Sequence, residues 1–300
     1  MRRVSTGTTA LPLRTGLPIP GSDGMLGMMP GYLDQPPSFG IKLVSLFPGQ
    51  RRTGLSSHSG LLLLFEAATG RPVALMNAGE ITAIRTAAAS AVATRALARP
   101  DARVLGIVGT GEQAKAHIEA LPMVRQFERI VIWGRHNDRA RALAESAAAG
   151  FNGIVAIRAT VDELLAEADV VCTLTSSPEP LLEGRSLRAG THLCVVGSSF
   201  PTRREIDDDC VAKSSFFVDY RPSALAQAGE LLHAIRARRV TESHIRAEIG
   251  EVLSGSSPGR TSRNEITLYK SLGVAAQDLA AACAALAAAQ AAGVGVIVGV

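Results

Sequence analysis

Between Arg103 and Val196 the chain alternates short aliphatic runs with Ala-rich or amphipathic stretches. Arg103-Val104-Leu105-Gly106-Ile107-Val108, Arg129-Ile130-Val131-Ile132-Trp133, Asp169–Leu174 and His192–Val196 are nearly continuous apolar runs of strand length. Runs of that kind belong to strands buried on both faces. A weaker strand is expected near Gly153–Arg158, and helices over Glu112–Val124 and Asp138–Ala149. A short helix opens at Thr160, where Thr160-Val161-Asp162-Glu163 has the form of a capping box. Strand and helix alternating in this way predict an α/β fold built on a Rossmann-type, doubly wound parallel sheet.

Upstream the pattern changes. Gly40–Phe47, Gly60–Phe65 and Pro72–Met76 read as strands, the last two joined through the turn Thr69-Gly70-Arg71-Pro72. Gly79–Arg99 reads as an Ala-rich helix that Pro100 ends. Residues 1–38, rich in Gly, Pro, Ser and Thr, predict an irregular start with short extended pieces. Gly273–Ala292 is a second Ala-rich helix, followed by a strand-like tail from Gly293 to Val300. A chain of 300 residues exceeds the usual size of one domain, so two are expected.

Composition narrows the partners. With 47% hydrophobic but only 4% aromatic residues, the core must be built from Ala, Val, Leu and Ile. The formal charge of +4 is spread along the chain with no dense basic block, which argues against nucleic acid. A mild positive bias suits anionic small molecules. Cys172, Cys194, Cys210 and Cys283 show neither C-x-x-C nor metal-ligand spacing and read as reduced structural thiols, so no metal is expected and the cytoplasm is. No apolar stretch is long enough to span a membrane, and the arginines at the start precede no secretory h-region.

The chemistry begins at Gly109-Thr110-Gly111-Glu112-Gln113-Ala114, which follows an expected strand and opens an expected helix. Gly109 permits the tight turn, Gly111 lets the backbone approach a pyrophosphate, and Ala114 allows close helix–sheet packing. The helix N-terminus offers free N–H groups to the phosphates. The bland alternative is a glycine turn that binds nothing. At the end of the next strand, Trp133-Gly134-Arg135-His136-Asn137 has no acid to hold a ribose hydroxyl and has an arginine instead. Arg135 therefore points to the 2′-phosphate of NADP(H), with NAD(H) possible and a solvated surface arginine as the alternative.

Taken in order, these segments resemble the ornithine cyclodeaminase/mu-crystallin family. The marks are Leu13-Arg14-Thr15, Met29-Pro30-Gly31, Gly40–Ser45, Ile81–Ala88, the glycine turn, Phe217-Val218-Asp219 and Thr267–Gly273. The resemblance implies a smaller α+β substrate-binding and dimerisation domain over 1–98 plus 273–300, a dinucleotide-binding domain over 99–272, a homodimer, and a site in the cleft between domains. It implies that Arg14, Lys42 and Arg85 hold a substrate carboxylate and that Asp219 faces the substrate nitrogen. Family chains carry a helix ahead of the Arg14 position; the early position of Arg14 here leaves open a truncated start, an altered dimer interface or a degenerate protein. Thr175, Ser176, Gly197 and Ser198 are expected to line the dinucleotide at the sheet's carboxyl edge, or to be ordinary loop residues.

Elementary chemistry agrees with that assignment. Lys42 sits in an otherwise apolar strand, where an unpaired ammonium is costly and a pocket anion would remove the cost. Arg85 can clamp a carboxylate through two N–H groups. The alternatives are an edge-strand lysine that deters aggregation, an arginine that only pairs with Glu80 or another carboxylate, and an exposed turn aspartate at 219. Lys42 and Asp219 are the catalytic candidates.

Three reactions share such a site: NAD(P)H reduction of a cyclic imino acid such as Δ1-pyrroline- or Δ1-piperideine-2-carboxylate, conversion of ornithine to proline with bound NAD, and alanine dehydrogenation. A mu-crystallin-like binding protein without turnover is the alternative from another class. Cyclodeaminases tend to carry a Lys-Tyr-Val-Asn-Gly-His-Pro-like run, whereas the chain reads Lys42-Leu43-Val44-Ser45-Leu46-Phe47-Pro48-Gly49-Gln50. With Arg135, that departure favours imine reduction.

Overall fold

The computed structural model describes residues 1–47 and 58–299. It divides into two compact units, one of Met1–Ser5 with Thr86–Gly273, the other of Thr6–Arg85 with Val274–Val300. The first border falls inside α2 (Ala78–Leu97), upstream of the 98/99 border expected from sequence.

The larger unit is built on an eight-stranded sheet in which every pairing is parallel. Its strands are β6 (Val104–Val108), β7 (Arg129–Trp133), β8 (Ile154–Ile157), β9 (Val170–Thr173), β10 (His192–Val195), β11 (Ser215–Val218), β12 (Ile245–Glu248) and β13 (Thr267–Lys270). Their spatial order is β12-β11-β13-β10-β9-β6-β7-β8. Chain order therefore runs outward from β6 in one direction and resumes at β9 in the other. That reversal is the switch point outside which open α/β sheets bind ligands.

Successive strand residues feed two separate cores. Leu105, Ile107, Ile130, Ile132, Val170 and Cys172 pack on one face with Ala93, Leu97, Ala114 and Ile118. Val108, Val131, Val171, Leu193 and Val195 pack on the other with Leu164, Leu165, Val211 and Leu231. A doubly wound sheet requires helices on both faces, and the aliphatic runs read from sequence are its strands. The helix expected over 112–124 stops earlier: α3 (Glu112–Ala120) passes into a single 3-10 turn, Leu121–Met123. Pro122 has no N–H to continue the ladder.

The smaller unit is an antiparallel meander, β1 (Thr15–Pro18), β2 (Met25–Asp34), β3 (Pro37–Leu46), β4 (His58–Glu66) and β5 (Pro72–Asn77), in that spatial order. The irregular start expected over 1–38 is thus wrong for Met25–Asp34, which pairs with β3 along its whole length. Gly27, Pro30 and Gly31 hide its strand pattern. Between β4 and β5 the chain turns through Gly70, whose φ of +71° suits glycine.

One face of the meander is covered by α10 (Ala275–Ala292). Small residues set the distance: a Cβ on Gly31 would lie 2.6 Å from that of Ala275, and one on Gly40 would lie 2.3 Å from the Leu63 carbonyl oxygen and 3.0 Å from the Leu279 side chain. An Ala-rich helix against glycine-bearing strands is how a core with so few aromatics closes. The opposite face carries Ile41, Leu43, Leu61, Leu63 and Leu75 in cross-strand register, no helix covers it among the described residues, and Leu75 is 64% exposed. The strand expected in the tail is absent among the described residues: Gly293 ends α10 in the left-handed region, and 294–299 form no strand. Among the described residues no helix is long and apolar enough to cross a membrane.

Candidate functional site

In the parallel unit the glycine turn lies at the switch point. Gly109 follows β6 with φ of +126°, and a Cβ there would stand 2.7 Å from the Leu174 carbonyl oxygen beyond β9. Its N–H donates to the Trp133 carbonyl oxygen at 2.9 Å, drawing the turn against the end of β7. Over Gly111 the space is open, since a Cβ there would meet nothing within 4 Å. No side chain caps α3, and Glu112 stands in its first turn. A buried Ala114 lets α3 pack against the sheet. A tight turn, an open approach and an uncapped helix N-terminus fit a dinucleotide pyrophosphate. Thr110 and Gln113 are half-buried in this segment, and Arg135 stands exposed just beyond β7.

The loops after β9 and β10, which carry Thr175, Ser176, Gly197 and Ser198, are tied together by a group that sequence reading missed. Glu205 is fully buried, and its carboxylate accepts from the Thr175 N–H (2.6 Å), the Thr175 hydroxyl (2.7 Å), the Thr173 hydroxyl (2.7 Å) and the Gly197 N–H (2.7 Å). Four donors saturate a carboxylate. Burial pushes the Glu205 carboxyl up, opposed by Lys270 and these donors. Lys270, also fully buried, pairs with Glu230 at 2.9 Å and donates to the Ser198 carbonyl oxygen at 2.7 Å. The Ser198 hydroxyl donates to the Arg203 carbonyl oxygen, and Ser176 is exposed. No local spacing pattern announces this network: Glu205 is hidden in the charged run Arg203–Asp209, and only Glu230 and Lys270 stand out in largely apolar surroundings.

Asp219 follows β11 and is fully buried. It accepts from the Tyr220 N–H at 3.0 Å and, through its other oxygen, from the N–H groups of Leu272 (2.9 Å) and Gly273 (2.6 Å). Three main-chain donors fix the position of its carboxyl group and fasten the chain leaving β13.

In the antiparallel unit Lys42 and Arg85 come together. Lys42 projects from β3 toward α10 and is 3% exposed; Arg85, on α2, is 8% exposed. Both reach Asp278 Oδ1 at 2.9 Å, Lys42 from Nζ and Arg85 from Nε. Lys42 also donates to the Thr82 hydroxyl at 3.2 Å, and Arg85 Nη1 to Gln277 Oε1 at 2.9 Å. The Arg85 Nε contact is an ion pair without hydrogen-bond alignment. Arg85 does pair with a carboxylate, as its bland alternative allowed, and that carboxylate is Asp278. Burial first, then the Arg85 guanidinium, pulls Lys42 down to about 8, while Asp278 opposes the fall. Arg14, half-buried ahead of β1, adds a further positive field.

Two cations against one carboxylate leave a positive charge unmatched, and N–H donors remain unused on both side chains among the described residues. Asp278 and Gln277 were not singled out from sequence, although Asp278 is the one charged residue of α10. Of the run after Lys42, Pro48-Gly49-Gln50 lies outside the described residues.

A switch-point glycine turn in a parallel sheet, beside a second, antiparallel unit, defines a two-unit α/β protein of the dinucleotide-binding type. The chain belongs to the ornithine cyclodeaminase/mu-crystallin family, whose profile matches residues 1–291. It is 37% identical to the ketimine reductase mu-crystallin of Mus musculus over 271 residues, 90% of this chain and 82% of that one. It is 34% identical to a Δ1-pyrroline-2-carboxylate reductase of Bacillus cereus over 280 residues, 93% of this chain and 86% of that one. The structure of Thermococcus litoralis Δ1-pyrroline-2-carboxylate reductase in complex with NADH and L-proline superposes with a TM-score of 0.96 at 34% identity, covering 99% of this chain and 92% of that one.

The Glu205 network yields a testable consequence. Glu205→Gln replaces one acceptor oxygen by an amide that faces N–H donors, and is expected to cost about 3 kcal/mol of stability. Thermal unfolding followed by circular dichroism measures the loss; an unchanged midpoint would show that the network contributes nothing.

Proposed function

We propose that the protein is a nicotinamide-dependent reductase of cyclic imino acids, converting Δ1-pyrroline-2-carboxylate or Δ1-piperideine-2-carboxylate to the cyclic amino acid. The observation that carries this reading is the buried Lys42–Arg85 pair with its unmatched positive charge. A small carboxylate supplies the missing anion and accepts the unused N–H donors, with Arg14 adding to the attraction. Relatives named as ketimine reductase and pyrroline-carboxylate reductase support the same reaction.

The residues then divide the work. Gly109, Thr110, Gly111, Glu112, Gln113 and Ala114 hold the pyrophosphate against α3, while Thr175, Ser176, Gly197 and Ser198 line the strand ends that Glu205 fixes. When bound, a reduced nicotinamide supplies the hydride that reduces the imine at C2. Lys42 and Arg85 anchor the substrate carboxylate, and their burial keeps water from competing for the same donors. Asp219 is the group proposed to orient or protonate the imine nitrogen, its position set by three main-chain amides.

NADP(H) is the preferred form in this proposal. Trp133–Asn137 offers no carboxylate for a ribose hydroxyl, and the exposed Arg135 guanidinium suits a 2′-phosphate. The Thermococcus litoralis relative is described with NADH, which makes the ratio of the two forms the informative measurement. The proposal also includes a homodimer. The uncovered meander face, with Leu61 50% and Leu75 64% exposed, is a patch that monomers rarely leave to solvent.

Absorbance at 340 nm with NADPH or NADH and each cyclic imine tests the reaction; conversion of ornithine to proline with NAD+ and no imine reduction would overturn it. Arg85→Gln is expected to raise KM for the imino acid roughly ten- to a hundredfold, the loss of one or two charge-assisted hydrogen bonds. In Arg135→Asp, the kcat/KM ratio of NADPH to NADH should fall at least roughly tenfold, as expected when a phosphate's charged partner is reversed; a constant ratio would remove Arg135 from the site. Replacing Leu61 and Leu75 together by Asp should convert a dimer to a monomer in light scattering, and a wild-type monomer would refute the proposed interface.

A further inference from the structure

The clamp has a third member. Asp278 lies in the first turn of α10, 236 residues from Lys42 in sequence, and gathers both cations on a single oxygen. Its other oxygen, Oδ2, is buried and has no hydrogen-bond partner among the described residues. An ion pair built only for stability would spread two cations over two oxygens. Here Oδ1 draws Nζ of Lys42 and Nε of Arg85 to one point, while Gln277, one residue earlier on the same helix, takes Nη1. The first turn of α10 thus sets the position of both cations, and their unused donors remain for a ligand.

We propose that Asp278 is the positioning residue of this clamp, holding Lys42 and Arg85 side by side for the substrate carboxylate. The inference rests on the proposed carboxylate-binding role of those two cations and names the residue that makes them competent. The groups that face Lys42 are Arg85 and Thr82 from α2, Asp278 from α10, and Arg14 from the segment before β1. Three of these are charged, two positive and one negative. Burial, Arg85 and Arg14 all favour neutral lysine, and Asp278 is the charged group that opposes them. Without it the ammonium form would survive only to a lower pH. Asp278 carries a cost as well, because its charge competes with the substrate carboxylate for the same donors. The cluster therefore exchanges some affinity at low pH for binding that persists through neutrality.

The test uses the dinucleotide-loaded protein and pyrrole-2-carboxylate, a planar ring carboxylate without a basic nitrogen, titrated from pH 6 to pH 10. For the wild type, affinity should hold up to about pH 8 and then fall as Lys42 loses its proton. In Asp278→Asn the fall should begin about one pH unit lower or more, with affinity at pH 6 equal to or tighter than that of the wild type. A uniform loss at every pH, with the midpoint unmoved, is what a merely structural aspartate would give and would overturn the inference. Asp278→Glu retains the charge and should leave the midpoint where the wild type has it, so a lowered midpoint in that variant would also overturn it, even if the asparagine variant does not fold. Lys42→Met separates the two levels. If it binds the carboxylate as tightly as the wild type at pH 7, the clamp reading itself fails. If it binds weakly while the Asp278→Asn midpoint stays fixed, only the role given to Asp278 fails.

Discussion

Burying a cation in an apolar strand costs several kcal/mol unless an anion accompanies it, and the antiparallel unit meets that constraint with less anion than cation. Lys42 and Arg85 share one oxygen of Asp278. A full set of counter-ions would have given a neutral, inert cluster; none would have neutralised Lys42 at physiological pH. With one carboxylate between two cations, the cluster stays charged, stays ordered and keeps donors free. The strand, the two helices and the glycines that let α10 approach the meander all serve to bring each cation to 2.9 Å from Asp278.

The parallel unit treats its buried charge differently. Glu205 receives four hydrogen bonds and has no acceptor capacity left, and Glu230 is matched by Lys270. Such a network offers nothing to a ligand and a good deal to geometry. It joins the ends of β9, β10 and β13, so the loops on the β9 side of the switch point are held by side chains below the surface. Asp219 does the same for the chain after β13. In one unit the incomplete pairing leaves donors for the proposed ligand; in the other, complete pairing is the feature that positions.

How much of this was legible depended on whether the determining interaction was local. β6, β7, β9 and β10 could be read because a strand buried on both faces must be apolar at every position, and Val104–Val108 and Arg129–Trp133 nearly are. Gly109 could be read because its turn is encoded within six residues. The ten-residue β2 could not, since Gly27, Pro30 and Gly31 break its pattern and it is made a strand by pairing with β3. Its Pro30 is tolerated beyond the stretch, Met25–Met28, that β1 covers. The tail after Gly293 misled in the other direction, because its valines and isoleucine suit a strand while 294–299 pair with no strand among the described residues. Lys42 and Arg85 were visible as costly cations, and the need for an anion was evident from Lys42 alone. The identity of that anion was not, because nothing local links position 278 to position 42.

The placement of Asp278 follows from the same electrostatics. In the first turn of α10 a carboxylate is favoured by the helix N-terminus as well as by the two cations. Its negative charge is therefore stabilised from three directions, whereas Lys42 relies on Asp278 against burial and two guanidinium groups. The asymmetry decides which member of the cluster gives way as pH rises. Lys42 is the member that loses its proton as pH rises, and one of the two cations goes with it. The approach of α10 to the sheet sets the reach as well, for a Cβ on Gly31 would stand 2.6 Å from that of Ala275. Close packing of an alanine helix and the short reach of an aspartate are thus one solution: the helix comes near enough to the sheet for a two-carbon arm to meet both cations, and no nearer.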